Sequence, residues 1–86
     1  MALVYPHAGT AIYIPVELNG RLGRAVFRAV HQRSEAELFW HLDDRFLGKT
    51  RHFHEQAIIA EPGWHTLTLV DDQGFRLGHR FKVLGK

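Results

Sequence analysis

An all-β chain is the fold class this sequence predicts, and three observations predict it. Apolar and polar residues alternate with period two through most of the 86 residues. Turn-forming Gly, Pro, Asn and Asp recur about every 8–12 residues. No window carries a helical apolar stripe with caps. The architecture expected is an immunoglobulin-like β-sandwich of about seven short antiparallel strands, with a small, partly open barrel as the alternative.

The elements follow in order. Short strands are expected near residues 3–6 and 10–14, and the segment ELNGRLG supplies a turn region with Gly20 and Gly23. RAVFRAVH (24–31) puts Ala25, Phe27 and Ala29 on one face and Arg24 and Arg28 on the other. AELFWHL (36–42) turns Leu38, Trp40 and Leu42 inward, which makes Trp40 the expected core tryptophan. RFLG and a turn at Gly48–Thr50 lead into a strand over 50–60. Glu61-Pro62-Gly63 is a turn, because proline presets one dihedral and glycine accepts a positive one. WHTLTLVD (64–71) alternates Leu67 and Leu69 against Thr66 and Thr68. DDQG (71–74) closes a hairpin into 75–85, where Leu77, Phe81 and Val83 oppose Arg76, Arg80 and Lys82.

A chain of this length forms one domain, so residues 1–86 are read as a single module. Eleven Lys and Arg against nine acids leave a net charge of +2. Residues 1–43 hold four Arg and four acids, and residues 44–86 hold seven Lys or Arg and five acids. That distribution is no basic stripe, so nucleic acid is not an expected partner. The absence of cysteine excludes disulfides, thiolate zinc sites and a cysteine nucleophile. No apolar run reaches the roughly 18 residues that cross a bilayer, so no direct membrane insertion is expected. The N-terminus MALVYPHAG does not read as a signal peptide. The module is expected to be a piece of a longer chain that carries its targeting.

Several chemical signals dissolve on inspection. GKT at Gly48–Thr50 lacks the phosphate-loop spacing, since position 43 is Asp and no helix follows. The single serine, Ser34, lies in QRSEAE with no nucleophile elbow and no Ser-x-x-Lys. Asp43–Asp44 and Asp71–Asp72 fall at expected turns, where aspartate closes Asx-turns. No catalytic residue is assigned.

Histidine and tryptophan ask more. Seven histidines are present, His7, His31, His41, His52, His54, His65 and His79. His52 and His54, two apart on one expected strand, would share a face at zinc-ligating spacing, with His41 as a third ligand if its strand pairs alongside. In a His-rich β-chain the same spacing arises by chance, so no metal and no cofactor is expected. His65 leads the Leu67/Leu69 face and reads as a hydrogen-bonded histidine at the core's edge. Trp64, on the opposite face, is the candidate exposed aromatic. With Phe39 and His41 it makes the candidate ligand-binding or partner-binding set.

Three ordered segments carry a resemblance. YPHAGTAIYIP (5–15), FWHLDDRFLGKT (39–50) and PGWHTLTLVDDQGFRLGHRFKVL (62–84) resemble the C-terminal module of the penicillin-binding protein 1C family, bifunctional peptidoglycan synthases of bacterial cell-wall synthesis. The matching positions are Pro6, Gly9 and Ile12; Trp40, Leu42, Asp43, Leu47 and Gly48; Gly63, His65, Leu67, Leu69, Asp71 and Gly74; and Phe81 and Val83. The resemblance implies a periplasmic, cell-envelope module that follows transglycosylase and transpeptidase domains and contains neither. It implies no catalytic residue to carry over. Two functions fit. One is a non-catalytic interaction module that positions the synthase by contact with its other domains or with another envelope protein. The other is a peptidoglycan-binding module that uses Trp64, Phe39 and His41.

Overall fold

Asp and Gly stand where the backbone reverses, and alternating segments between them form strands. The structure, a computed structural model, describes residues 1–7, 9–14, 20 and 23–84. Eight strands form among these residues. They are β1 (Ala2–Tyr5), β2 (Ala11–Tyr13), β3 (Ala25–Val30), β4 (Glu37–Leu42), β5 (Arg45–Arg51), β6 (His54–Ile58), β7 (Gly63–Asp71) and β8 (Arg76–Leu84). Two sheets result, a three-stranded one ordered β1-β3-β6 and a five-stranded one ordered β2-β8-β7-β4-β5. Pairing is antiparallel except between β2 and β8, which run parallel with Ala11 opposite Lys82.

The eighth strand corrects the sequence reading. Residues 45–51 are a strand, so Gly48–Thr50 lies inside β5 rather than in a turn. The expected strand over 50–60 breaks at His52, whose φ is 68°. There the Phe53 amide donates to the Arg51 carbonyl at 2.8 Å, and the chain passes from the five-stranded sheet to the three-stranded one. The turn between β4 and β5 is the two residues Asp43 and Asp44. Asp43 takes φ 54°, which aspartate tolerates better than most side chains. The turn expected in ELNGRLG falls largely outside the described residues.

Inward positions of both sheets meet in one core. Phe27, Leu38, Trp40 and Phe81 are wholly buried. Phe27 on β3 and Phe81 on β8 meet edge-to-face at 5.0 Å and 78°, an aromatic contact that joins the two sheets. On β4 and β7, Trp40 pairs with Leu69 and Leu42 with Leu67, which fixes the register so that both strands turn their apolar sets inward. Each such side chain contributes roughly 1.5–3 kcal/mol by leaving water.

Candidate functional site

Three of the histidines serve the frame. Asp71, at the end of β7, accepts at Oδ1 from the amides of Gln73 (2.9 Å) and Phe75 (3.0 Å), which shapes the hairpin to β8. Its Oδ2 meets His31 Nε2 at 3.0 Å. The Arg33 amide donates to His31 Nδ1 at 3.0 Å, so Nε2 carries the hydrogen given to Asp71. The His31 hydrogen bond leads the causes that hold the Asp71 carboxyl below the usual carboxylate range, against the effect of its burial.

At the opposite corner, Trp40 Nε1 donates to Thr50 Oγ1 at 2.8 Å. The Thr50 hydroxyl in turn lies 2.8 Å from His54 Nδ1 and donates to it. This chain joins β4, β5 and β6, and therefore the two sheets. Burial first, then the nearby His31 and His52, depress the His54 pKa.

His65 is held otherwise. Its Nδ1 lies 2.8 Å from Asp43 Oδ2 and its Nε2 lies 2.7 Å from the Glu61 carbonyl oxygen. Burial alone would lower its pKa, but the Asp43 hydrogen bond, the Glu61 carbonyl and the nearby negative charges raise it. The ring stacks on Phe81 at 5.7 Å. Asp43 also accepts from the Thr66 amide at 2.9 Å, and its own amide donates to the Thr66 carbonyl at 2.8 Å. Burial pushes the Asp43 carboxyl up, and the Thr66 amide and His65 outweigh it and hold it low. Asp43, Asp71, His31, His54 and His65 are thus committed to turns and corners.

The strand face that His52 and His54 were expected to share does not form. His54 points into the sandwich and is 6% exposed, whereas His52 sits outside at the corner with positive φ. The two do not share a strand face. His41, on β4, pairs with Phe46 and Thr68 and not with β6. No group of three or more His, Asp or Glu able to hold a metal gathers among the described residues.

Phe39, His41 and Trp64 do share a surface, the outer side of the five-stranded sheet. Phe39 and His41 alternate with the buried Leu38, Trp40 and Leu42 on β4. Both approach Phe46 of β5, at 6.4 and 5.4 Å between ring centres. Phe46 is 58% exposed and was missed in the sequence, because it sits in the short RFLG segment that reads only as a lead-in to the next strand. Trp64 is 51% exposed and stands four residues along β7 from Thr68, the partner of His41, so it lies at the other end of the face. The Arg80 guanidinium covers its ring at 4.9 Å.

The outer side of the three-stranded sheet is a second surface, and sequence reasoning did not single it out. Val4, Val26, Val30 and Ile59 are each 42–52% exposed there. Ala2 and Ala57 pair with Val30 and Val26 and extend the apolar surface across the sheet. One ion pair crosses it, Arg28 to Glu55 at 2.8 Å. The signal was available: β3 reads Val-Arg-Val on its outer parity, apolar on both faces.

The described residues form a two-sheet β-sandwich of the immunoglobulin-like class. Among solved structures, a fibronectin(III)-like module of Clostridium thermocellum CbhA is similar, with a TM-score of 0.66, 18% identity, and coverage of 100% of this chain and 96% of that one. At that identity the likeness concerns the fold, an immunoglobulin-like sandwich. No curated protein matches the chain. The chain belongs to the Penicillin-Binding Protein C-terminus Family, whose model matches residues 1–81. It contains no catalytic domain, and the family suggests the cell envelope.

Proposed function

We propose that this module is a non-catalytic interaction domain of a penicillin-binding protein, docking through the outer side of its three-stranded sheet. The observation that carries the proposal is the apolar surface of Val4, Val26, Val30 and Ile59, together with Ala2 and Ala57. Edge-strand pairing is less favoured. β5, one edge of the larger sheet, carries Arg45, Lys49 and Arg51 and is bulged opposite Trp40 and His41 of β4, features that blunt an edge.

The size of the surface indicates the kind of partner. Covering the exposed half of each of the four large side chains contributes on the order of 1 kcal/mol apiece. That sum only meets the lower range, roughly 4 kcal/mol, of the cost of bringing two free molecules together. Docking therefore requires a tether, which raises the local concentration to roughly the millimolar range. Other domains of the same synthase supply that tether, so they are the preferred partner over a freely diffusing envelope protein. Within cell-wall synthesis, such docking positions the catalytic domains.

The experiment is to join the module to the transglycosylase–transpeptidase portion of a synthase of this family and introduce Val26→Lys with Val30→Glu. Both sites are half-exposed, so the module keeps its stability within about 1 kcal/mol. The expected result is that the paired substitutions release the module, seen as increased proteolysis of the connecting segment and a larger radius in solution. Unchanged protection and radius would overturn the proposal.

A further inference from the structure

The outer side of the five-stranded sheet differs in chemistry from the docking surface on the other sheet. Arg76, Arg80 and Lys82 project from β8 on one parity, with Leu77, Phe81 and Val83 on the other. None of the three has a carboxylate within salt-bridge distance among the described residues. Between the two arginines stands Gly78, and a Cβ placed there meets no atom within 4 Å. Its cross-strand partner is Thr68, and that of Arg80 is Thr66. The open position continues into a shallow cleft lined by His41, Asp43, Thr68, Val70 and Arg76. Aromatic rings flank this trough, with Phe39 and Phe46 toward β5 and Trp64 at the far end of β7.

We propose that this trough binds a glycan that carries carboxylates. The guanidinium groups of Arg76 and Arg80 match a carboxylate with paired N–H donors. Hydroxyls of Thr66 and Thr68 suit sugar hydroxyls, and the Trp64 ring, covered by the Arg80 guanidinium at 4.9 Å, holds that guanidinium in place. Charge complementarity selects an anionic chain over a neutral one. Three cations on one strand fall short of the roughly 6–10 phosphate contacts of a nucleic-acid site, which favours an acidic sugar. This surface lies on the opposite sheet from the docking face, so each proposal stands independently.

The test is an amide NMR titration of the isotope-labelled 86-residue chain with oligogalacturonate. A neutral chito-oligosaccharide of equal length and a single-stranded oligonucleotide serve as comparators. Saturable shifts are expected at Thr66, Thr68, Gly78 and Arg80 with the acidic sugar, and binding weaker by at least about tenfold for either comparator. Gly78→Thr fills the trough in an extended strand position with open space, so it preserves folding and abolishes the shifts. Arg80→Gln, an exposed change that leaves the core intact, weakens binding about tenfold. Absence of saturation, equal binding of the neutral sugar, or unchanged binding by Gly78→Thr overturns the proposal. Tighter binding of the oligonucleotide overturns it in favour of a nucleic-acid surface.

Discussion

Both ring nitrogens of His65 face acceptors, the Asp43 carboxylate and the Glu61 carbonyl, so the doubly protonated ring is the form that satisfies both. Its folded pKa is raised, so its stabilising effect is complete below the unfolded value of about 6.5 and is lost as pH rises through the folded value. His65→Gln is therefore expected to destabilise the domain by roughly 1 kcal/mol at pH 6, discounted for the exposure of Asp43, with the difference shrinking toward pH 9. Urea unfolding at the two pH values checks this, and a pH-independent difference would contradict it. His54 acts with the opposite sign. Its folded pKa is depressed, so the stability it contributes is full above the unfolded value of about 6.5 and is lost as pH falls from there toward the folded value. Replacing His54 is expected to flatten the acid limb of the stability profile. At this scale the sequence was partly legible. His65 at the core's edge follows from its parity with Leu67 and Leu69. Its partner Asp43 lies 22 positions away, and no local pattern connects a turn aspartate to a strand histidine.

Among the elements, the corner between β5 and β6 is the part that local reading missed. Alternation runs through Arg51 to Glu55 without a proline or glycine, so nothing in the string marks the change of sheet. The break is tertiary: Thr50 must bond Trp40 in one sheet and His54 in the other, and His52 absorbs the turn. Thr50→Val keeps the shape and strand propensity while leaving the Trp40 N–H unpaired and buried. The expected cost is about 1–3 kcal/mol, seen as a lower urea midpoint with an unchanged slope. A loss below about 0.5 kcal/mol would mean that the chain of bonds does not hold the corner. By contrast, β4, β7 and β8 were legible almost to the residue, because each is long and strictly alternating. β2 was legible as a strand, but its parallel pairing with β8 was not, since direction is set by the other sheet's position rather than by composition.

For the molecule as a whole, the family resemblance carried by Trp40, Asp43, His65, Asp71 and Gly74 agrees with the family match over residues 1–81. The structure gives those positions a physical reason: they are core, turn and corner, and none faces outward as a set. What the family pattern leaves free are the two outer faces, one apolar and one cationic. The apolar face could be read from β3, which is apolar on both parities, but its outer valines pass for ordinary strand formers. Its substitution is expected to leave the midpoint of unfolding nearly unchanged while releasing the module from its partner, a separation that a core change such as Trp40→Ala, costing about 3–5 kcal/mol, cannot produce.

The most direct measurement is amide NMR mapping of the labelled module, free and joined by segmental labelling to the catalytic portion of a synthase. The docking reading predicts shifts confined to Val4, Val26, Arg28, Val30, Ala57 and Ile59, with the five-stranded face unmoved. Spectra that superimpose in the two states, or shifts confined to β7 and β8, would contradict it.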